Sequence, residues 1–455
     1  MEEMMLSQQI EELFHQKKMV ALKALLSEEN PSDIAEALEE LLEDEMITGE
    51  ELPVLYRFLP KELSAEVFAE MDVDMQEMLI LSFSDNELRT VMDDMFADDA
   101  ADMIEEMPAG LVKRILKNMD PDARKAVNTI LNYPEDSAGS LMTPEYADLK
   151  QGMTVAQAFA RIRTTGVDKE TVYTCYVTDQ NRELLGIVTV KDLLMAEQDE
   201  IIDNIMETNV ISVSTLADQE EVAQMFSKYN FLAIPVVDQE GRLVGIVTFD
   251  DAMDIMEEEA TEDMEIMAAL TPSDKPYLKT GVFETFKQRI PWLLFLMLSS
   301  ALTGMIISSF ESALAAQIVL TGYIPMLMGT GGNSGSQASV TVTRGLSLGE
   351  IEFRDLPQIV FKEARVALLC GVVLAVGNFA KLMVFDHVTV MVALVVCATL
   401  VVTVFAAKLV GCTLPLVAEK IGLDPAVMAS PFITTIVDAL SLLIYFEMAS
   451  LLLGI

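Results

Sequence analysis

Residues 325–345 read PMLMGTGGNSGSQASVTVTRG and lie inside one of the most apolar parts of the chain. A membrane-like segment that carries a Gly pair, an Asn, a Gln and several hydroxyls needs a reason to interrupt itself. Glycine loosens a helix and uncovers backbone carbonyls. Polar backbone is tolerated at membrane depth only where it is buried in protein or lines water. The stretch therefore predicts the wall of a passage, in a helix bent or broken at its glycines.

The surrounding chain divides in two. Its 455 residues are 51% hydrophobic, yet 72 acidic residues stand against 30 basic ones, for a net charge of −42. Both facts hold because residues up to about 288 are charged and acidic, whereas Pro291 to Ile455 is almost continuously apolar. The start, MEEMMLSQQIEELFHQKK, is acidic and amphipathic and does not read as a cleavable signal, so the soluble half is expected in the cytosol. So acidic a balance argues against nucleic acid and for cations as partners. Cys175, Cys370, Cys397 and Cys412 form no ligand motif or disulfide framework, as in a reducing compartment. His15 and His387 are too far apart in sequence to suggest a site.

Residues 1–137 read as helix after helix, with PSDIAEALEEL (31–41) and ADDAADMIEEM (97–107) in register and PKELSAEVFAEM and PDARKAVNTIL as looser copies. Proline or an acid stands near each helix start, as caps and the helix dipole favour. A helical solenoid of stacked hairpins follows. Two copies of a mixed unit come next, in 138–200 and 201–253. Each has a short β run, an amphipathic helix, a strand, a turn (DQNRE, DQEGR), GIVT and a second helix. They resemble a tandem pair of cystathionine-β-synthase-type (CBS) modules. An acidic connecting helix and linker occupy 254–288, continuing from DDAMDIMEEEATEDMEIMAAL, and TPSD breaks that helix. Residues 289–455 then hold five expected spans, about 291–310, 314–343, 364–385, 389–410 and 425–454. The fold class is thus a multidomain α-helical membrane protein with a solenoid, an α/β CBS pair, an acidic connecting helix and five transmembrane helices. Lys279, Lys287, Arg289, Arg344, Arg354, Lys362, Arg365, Lys408 and Lys420 flank one side of the spans, which puts the amino terminus inside and the carboxyl terminus outside.

Arg365, Lys381 and Lys408 are close enough to span ends to snorkel. The last span carries Asp424 at its start, Asp438 near its middle and Glu447 nearer its outer end. A carboxylate at the centre of a spanning helix costs about 2.5–3.5 kcal/mol on insertion scales, so it faces a cavity, a partner or an ion. Ser430, Thr434 and Asp438 recur every four residues and share one face, near backbone oxygens released by Pro431. Oxygen-only lining suits Mg²⁺ or Ca²⁺. The alternative is an Asp bonded to a neighbouring helix, with the Gly-rich run serving close helix packing.

PMLMGTGGNSGSQ in span two, DP…SPFITTIVD in span five, the CBS pair, the acidic helix and the acidic helical amino-terminal domain resemble the MgtE family of magnesium channels, over essentially the whole chain. The resemblance implies a homodimer in the cell membrane with a pore at the subunit interface, closed when cytosolic Mg²⁺ is plentiful. It implies Asp438 as pore carboxylate and Gly331, Gly332, Asn333 and Gly335 as pore motif, joined on spacing by Ser430 and Thr434. Mg²⁺ sheds water reluctantly, so such a pore would hold it hydrated and release it readily. Asp250, Asp251, Asp254, Glu257, Glu258, Glu259, Glu262 and Asp263 crowd one helix, and Glu66, Asp98, Asp99 and Asp102 are offered by the amino-terminal domain. Like charges about 6 Å apart repel by roughly 3 kcal/mol at an effective dielectric near 20, so such a contact closes only over cations. Bound Mg²⁺ would then hold the assembly shut by mass action.

GIVTVKD and GIVTFDD place a hydroxyl three residues before an Asp, Thr189 with Asp192 and Thr248 with Asp251, and the resemblance implies ATP as a modulator there. An enzyme is disfavoured, because the sequence offers no Cys–His pair, P-loop or base beside a nucleophile. Anion transport is disfavoured by the intramembrane Asp. The remaining alternatives are a CBS-regulated carrier of another divalent cation and a non-conducting Mg²⁺ receptor.

Overall fold

The computed structural model describes residues 5–454 apart from 274, 276, 312–314, 316 and 429, and leaves aside the side chains of Glu62, Asp168 and Ser430. The chain forms two compact units, Met1–Ile255 and Met256–Ile455.

The first unit opens with helices α1 (Leu6–His15) to α10 (Pro121–Ile130). From α5 (Lys61–Ala69) onward a fixed rhythm sets the stack. Helices are capped at Pro60, Asp72, Ser84, Phe96, Pro108 and Asp120, every twelfth residue. Asp72, Ser84 and Asp120 accept hydrogen bonds from first-turn amides. Just before these caps sit Leu59, Met71, Phe83, Met107 and Met119, all buried in one continuous core. Each helix is too short to be stable alone, and the shared core stabilises them as a stack.

The CBS-like pair follows. In the first module, β1 (Tyr146–Lys150) pairs parallel with β2 (Thr171–Thr178), which pairs antiparallel with β3 (Leu184–Thr189). In the second, β4 (Val213–Ser214), β5 (Ala233–Val237) and β6 (Leu243–Thr248) repeat this order. Helices α11 (Ala138–Leu141), α12 (Val155–Thr165), α13 (Val190–Met195) and α14 (Gln219–Tyr229) accompany the sheets. The modules exchange bridging residues, Thr143 with Ile246 and Glu207 with Ile187. This exchange explains the glycine of each GIVT. A Cβ on Gly186 would lie 2.8 Å from the Glu207 carbonyl, and one on Gly245 2.7 Å from Met142. Helix α15 (Phe249–Met267) leaves β6 directly and continues past Ile255.

The second unit contains α16 (Val282–Ser309), α17 (Ile324–Ser347), α18 (Leu356–Val384), α19 (Val390–Lys420) and α20 (Ser430–Leu453). Among the described residues, four helical stretches are long and apolar enough to cross a membrane, namely 282–309, 353–384, 390–420 and 425–453. Helix α17, which holds the opening motif, is 24 residues long but too polar to be one of them. It is also unbroken through that motif. The helix is not broken at the glycines; α17 is helical from Ile324 to Ser347, and the irregular backbone lies upstream in a 3₁₀ turn at Ile318–Tyr323. Tertiary contacts override the low propensity of glycine, because α17 packs against α19 and α20 along most of its length. The core of the unit lies between α17, α19 and α20, while α16 and α18 present Leu298, Met305, Leu369 and Val373 outward.

Candidate functional site

Two sites emerge, one in each unit. In the second unit, α17 meets α19 and α20 through its small residues. A Cβ on Gly331 would lie 2.7 Å from Ser441 Oγ and 2.8 Å from Thr403 Cγ2. One on Gly332 would meet Thr434 Cγ2 at 3.0 Å, and one on Gly335 would meet Ile433 Cγ2 at 2.8 Å. The buried glycines are therefore packing surfaces, and the helix hydrogen bonds of the motif stay closed. Ser339 Oγ and Thr343 Oγ1 donate to the carbonyls of Met428 and Pro425, tying α17 to the short 3₁₀ turn that precedes α20.

The opposite face of α17 is different. Gly329, Asn333, Gln337, Thr341 and Arg344 form a stripe at helical spacing, and none is covered by the chain's own helices. Asn333, Ser336, Gln337, Val340 and Thr341 line an open groove there. Thr434 reaches Gly332, and Asp438 lies one turn further along the same face of α20. Asp438 is half-buried, and its Oδ1 is buried without a hydrogen-bond partner among the described residues. Of the expected set, Gly331, Gly332, Gly335, Thr434 and Asp438 come together, Asn333 faces the open stripe, and the side chain of Ser430 lies outside the described residues.

The basic residues near span ends differ from expectation in one case. Arg365 lies over the Phe361 ring, and Lys381 pairs with Asp386 at 2.5 Å while half exposed. Lys408 does not snorkel. It is 5% exposed and pairs with Glu363 of α18 at 3.4 Å, the opposite charge on the neighbouring helix drawing it inward.

The second site is a convergence of carboxylates in the first unit. Asp98 and Asp99 occupy the first turn of α8 (Ala97–Glu106), and Asp250 and Asp251 the first turn of α15, where helix dipoles favour negative charge. Glu145 and Glu170 stand just before the paired strands β1 and β2, joined by a hydrogen bond from the Glu170 amide to the Glu145 carbonyl. Burial, then Asp99, Asp251, Glu170 and Glu145, raise the Asp98 carboxyl well above the usual range. Burial and the neighbouring acids push Asp99 up to about 6 and Glu170 up to about 8. Burial also raises Asp251, partly offset by hydrogen bonds from Thr248. Asp98 is buried, and its Oδ1 has no hydrogen-bond partner. Such a cluster is held at a cost unless a cation or protons neutralise it. Among the described residues no group of three or more His, Cys, Asp or Glu side chains is close enough to hold a metal ion directly.

Glu145 and Glu170 were missed by sequence reading. Their signal, a lone Glu abutting each of two β runs, is visible only once the two strands are known to be neighbours. Of the other expected acids, Glu66, Asp102, Asp254, Glu257, Glu258 and Glu262 are exposed and Glu259 is half-buried. Asp263 accepts a hydrogen bond from Ser347 at the end of α17, 2.9 Å. Burial raises its carboxyl, which that bond partly offsets. Thr189 and Asp192 form a capping box at the start of α13, and Thr248 Oγ1 donates to Asp251 at 2.5 Å. Both pairs therefore have a structural role as helix starts, whatever else they bind.

Comparison with known proteins gives concordant results. Family models match as MgtE, described as a divalent cation transporter (324–448), the MgtE intracellular N domain (8–136) and the CBS domain (138–199 and 202–258). The magnesium transporter MgtE of Thermus thermophilus is 36% identical, over 96% of this chain and 99% of that protein. That of Bacillus subtilis is 32% identical over 97% and 98%. The solved cytosolic domain of the Mg²⁺ channel MgtE in complex with ATP is 35% identical, with a TM-score of 0.51, and covers 55% of this chain and all of that one. On these matches, which run nearly end to end, the chain belongs to the MgtE family.

Proposed function

We propose that this chain is a Mg²⁺ channel of the cell membrane, a homodimer whose ion path runs along the open face of α17 beside Asp438. The observation that carries the reading is the polar stripe Asn333–Gln337–Thr341 on a helix set among apolar ones, next to a buried carboxylate oxygen with no partner. Such a face is not left to lipid. A second copy placing its own stripe opposite would enclose a polar passage, with paired Asp438 carboxylates and Asn333 amides around a hydrated cation. In this reading α17 is the fifth spanning helix, sheltered by the others, and that accounts for its low hydrophobicity. The amino terminus is cytosolic and the carboxyl terminus outside.

The carboxylate cluster is the regulatory site in this proposal. Asp98, Asp99, Glu145, Glu170, Asp250 and Asp251 would hold cytosolic Mg²⁺ through water, which stabilises the α8–CBS–α15 arrangement and with it the closed channel. ATP, held by the relative's cytosolic domain, is a candidate modulator at the CBS pair.

Thiol labelling tests the passage. In full-length protein lacking its native cysteines, Asn333→Cys and Gln337→Cys are expected to react with a water-soluble thiol reagent and to be protected by Mg²⁺. Leu369→Cys, facing lipid, is expected to stay unreactive. Equal inertness of all three would contradict an aqueous path along α17.

A further inference from the structure

The membrane unit contains an ion pair that the transport reading does not use. Lys408 of α19 and Glu363 of α18 lie 3.4 Å apart, with side chains 6% and 14% exposed. Lys408 makes no other ion pair among the described residues, and the basic neighbours of Glu363 along α18, Lys362 and Arg365, are exposed. A charge pair in this setting is weak evidence for stability, since apolar residues of similar size would do as well or better. It is stronger as a device for register, because sliding one helix past the other strands both charges at membrane depth.

Register matters at this place. Other contacts between α18 and α19 among the described residues include Gly371 against Val401 and Cys397 against the Ala375 carbonyl. Between helices already in lipid such contacts gain nothing from the hydrophobic effect, so a charge pair adds a distinct constraint on register. On its other side α19 carries the seat of the α17 motif. Ala407, adjacent to Lys408, places its carbonyl 3.2 Å from where a Gly335 Cβ would be, and Gly411, one turn on, abuts the Gly335 backbone. Gly335 in turn packs on Ile433 and Val437, the latter next to Asp438. The Glu363–Lys408 pair thus lies one residue from a close contact between α19 and the motif.

We propose that Glu363 and Lys408 are positioning residues: their ion pair fixes α18 against α19 and thereby the alignment of the α17 motif with Asp438. The consequence for ion flux rests on the reading of that motif as the ion path; the register claim does not.

The test compares three variants of the full chain in proteoliposomes: Glu363→Gln, the charge swap Glu363→Lys with Lys408→Glu, and the apolar pair Glu363→Met with Lys408→Met. Register is read from disulfide formation between Gly371→Cys and Val401→Cys against a pair one turn away, Leu368→Cys and Val401→Cys, with native cysteines removed. The swap is expected to keep wild-type register and flux. The apolar pair is expected to keep thermal stability, to spread cross-linking over both cysteine pairs and to lose roughly tenfold or more in Mg²⁺ flux, as small misplacements do. Wild-type register in the apolar pair overturns the proposal, and so does a swap as defective as Glu363→Gln. Asp438→Ala, measured alongside, separates the two claims. If it leaves flux intact, the ion-path reading fails while the cross-links still decide the register.

Discussion

Gly335 and Gly411 meet backbone to backbone, so a methyl group on either has nowhere to go. A Cβ on Gly411 would fall on the Gly335 carbonyl, whereas one on Gly329 would meet nothing within 4 Å. Overpacking of this kind typically costs ~1–3 kcal/mol. Gly411→Ala is therefore expected to lower the thermal unfolding midpoint of the detergent-solubilised protein, and Gly329→Ala to leave it unchanged or raise it. Equal midpoints for the two variants would mean that α17 and α19 are not in this close contact. The same pair marks a limit of sequence reading. GTGGNSG marks this helix out in the sequence, but glycine as helix breaker and glycine as close-packing surface look alike until the neighbouring helix is known. Lys408 was misread for a related reason. Its distance from the span end permits snorkelling, and only the position of Glu363 on another helix shows why it turns inward.

At the scale of elements, much of the architecture could be read directly. The paired GIVT units dictated two sheets of the same order, because duplicated patterning forces duplicated topology. The solenoid is legible as helices, and its twelve-residue period is carried by Leu59, Met71, Phe83, Met107 and Met119, whose shared burial only the stack reveals. The acid cluster was half legible. Asp98, Asp99, Asp250 and Asp251 stood out as runs at helix starts, but Glu145 and Glu170 join them only through the strand pairing. A pH dependence follows from the cluster. Asp99 and Glu170 have assembled-state values of about 6 and about 8, above their ordinary 3.8 and 4.5. The assembled state therefore binds more protons than a separated one, and its stability falls as pH rises through these windows. In Mg²⁺-free buffer, limited proteolysis of the full chain is expected to be faster at about pH 8.5 than at about pH 6, after correction for protease activity, and millimolar Mg²⁺ is expected to abolish the difference. A rate independent of pH, or one that rises on acidification, would show that these carboxylates do not strain the assembly.

The whole molecule joins an acidic soluble unit to an apolar bundle, and the net charge of −42 arises from this division. The two proposed roles have different residues, so they can fail separately. Asp99→Asn with Glu170→Gln is expected to shift inhibition by internal Mg²⁺ to higher concentration while leaving flux at low internal Mg²⁺ intact. Neutralising the cluster removes both the cation ligands and the repulsion they relieve, so a variant locked closed would instead indicate that relief of repulsion dominates. The central claim, a Mg²⁺ path beside Asp438, is tested most directly by Mg²⁺ flux into proteoliposomes for wild type and Asp438→Ala, with low and high Mg²⁺ on the soluble-domain side. The account predicts flux that high Mg²⁺ on that side suppresses and that Asp438→Ala abolishes at either concentration. Undiminished flux through a correctly folded Asp438→Ala protein would contradict it.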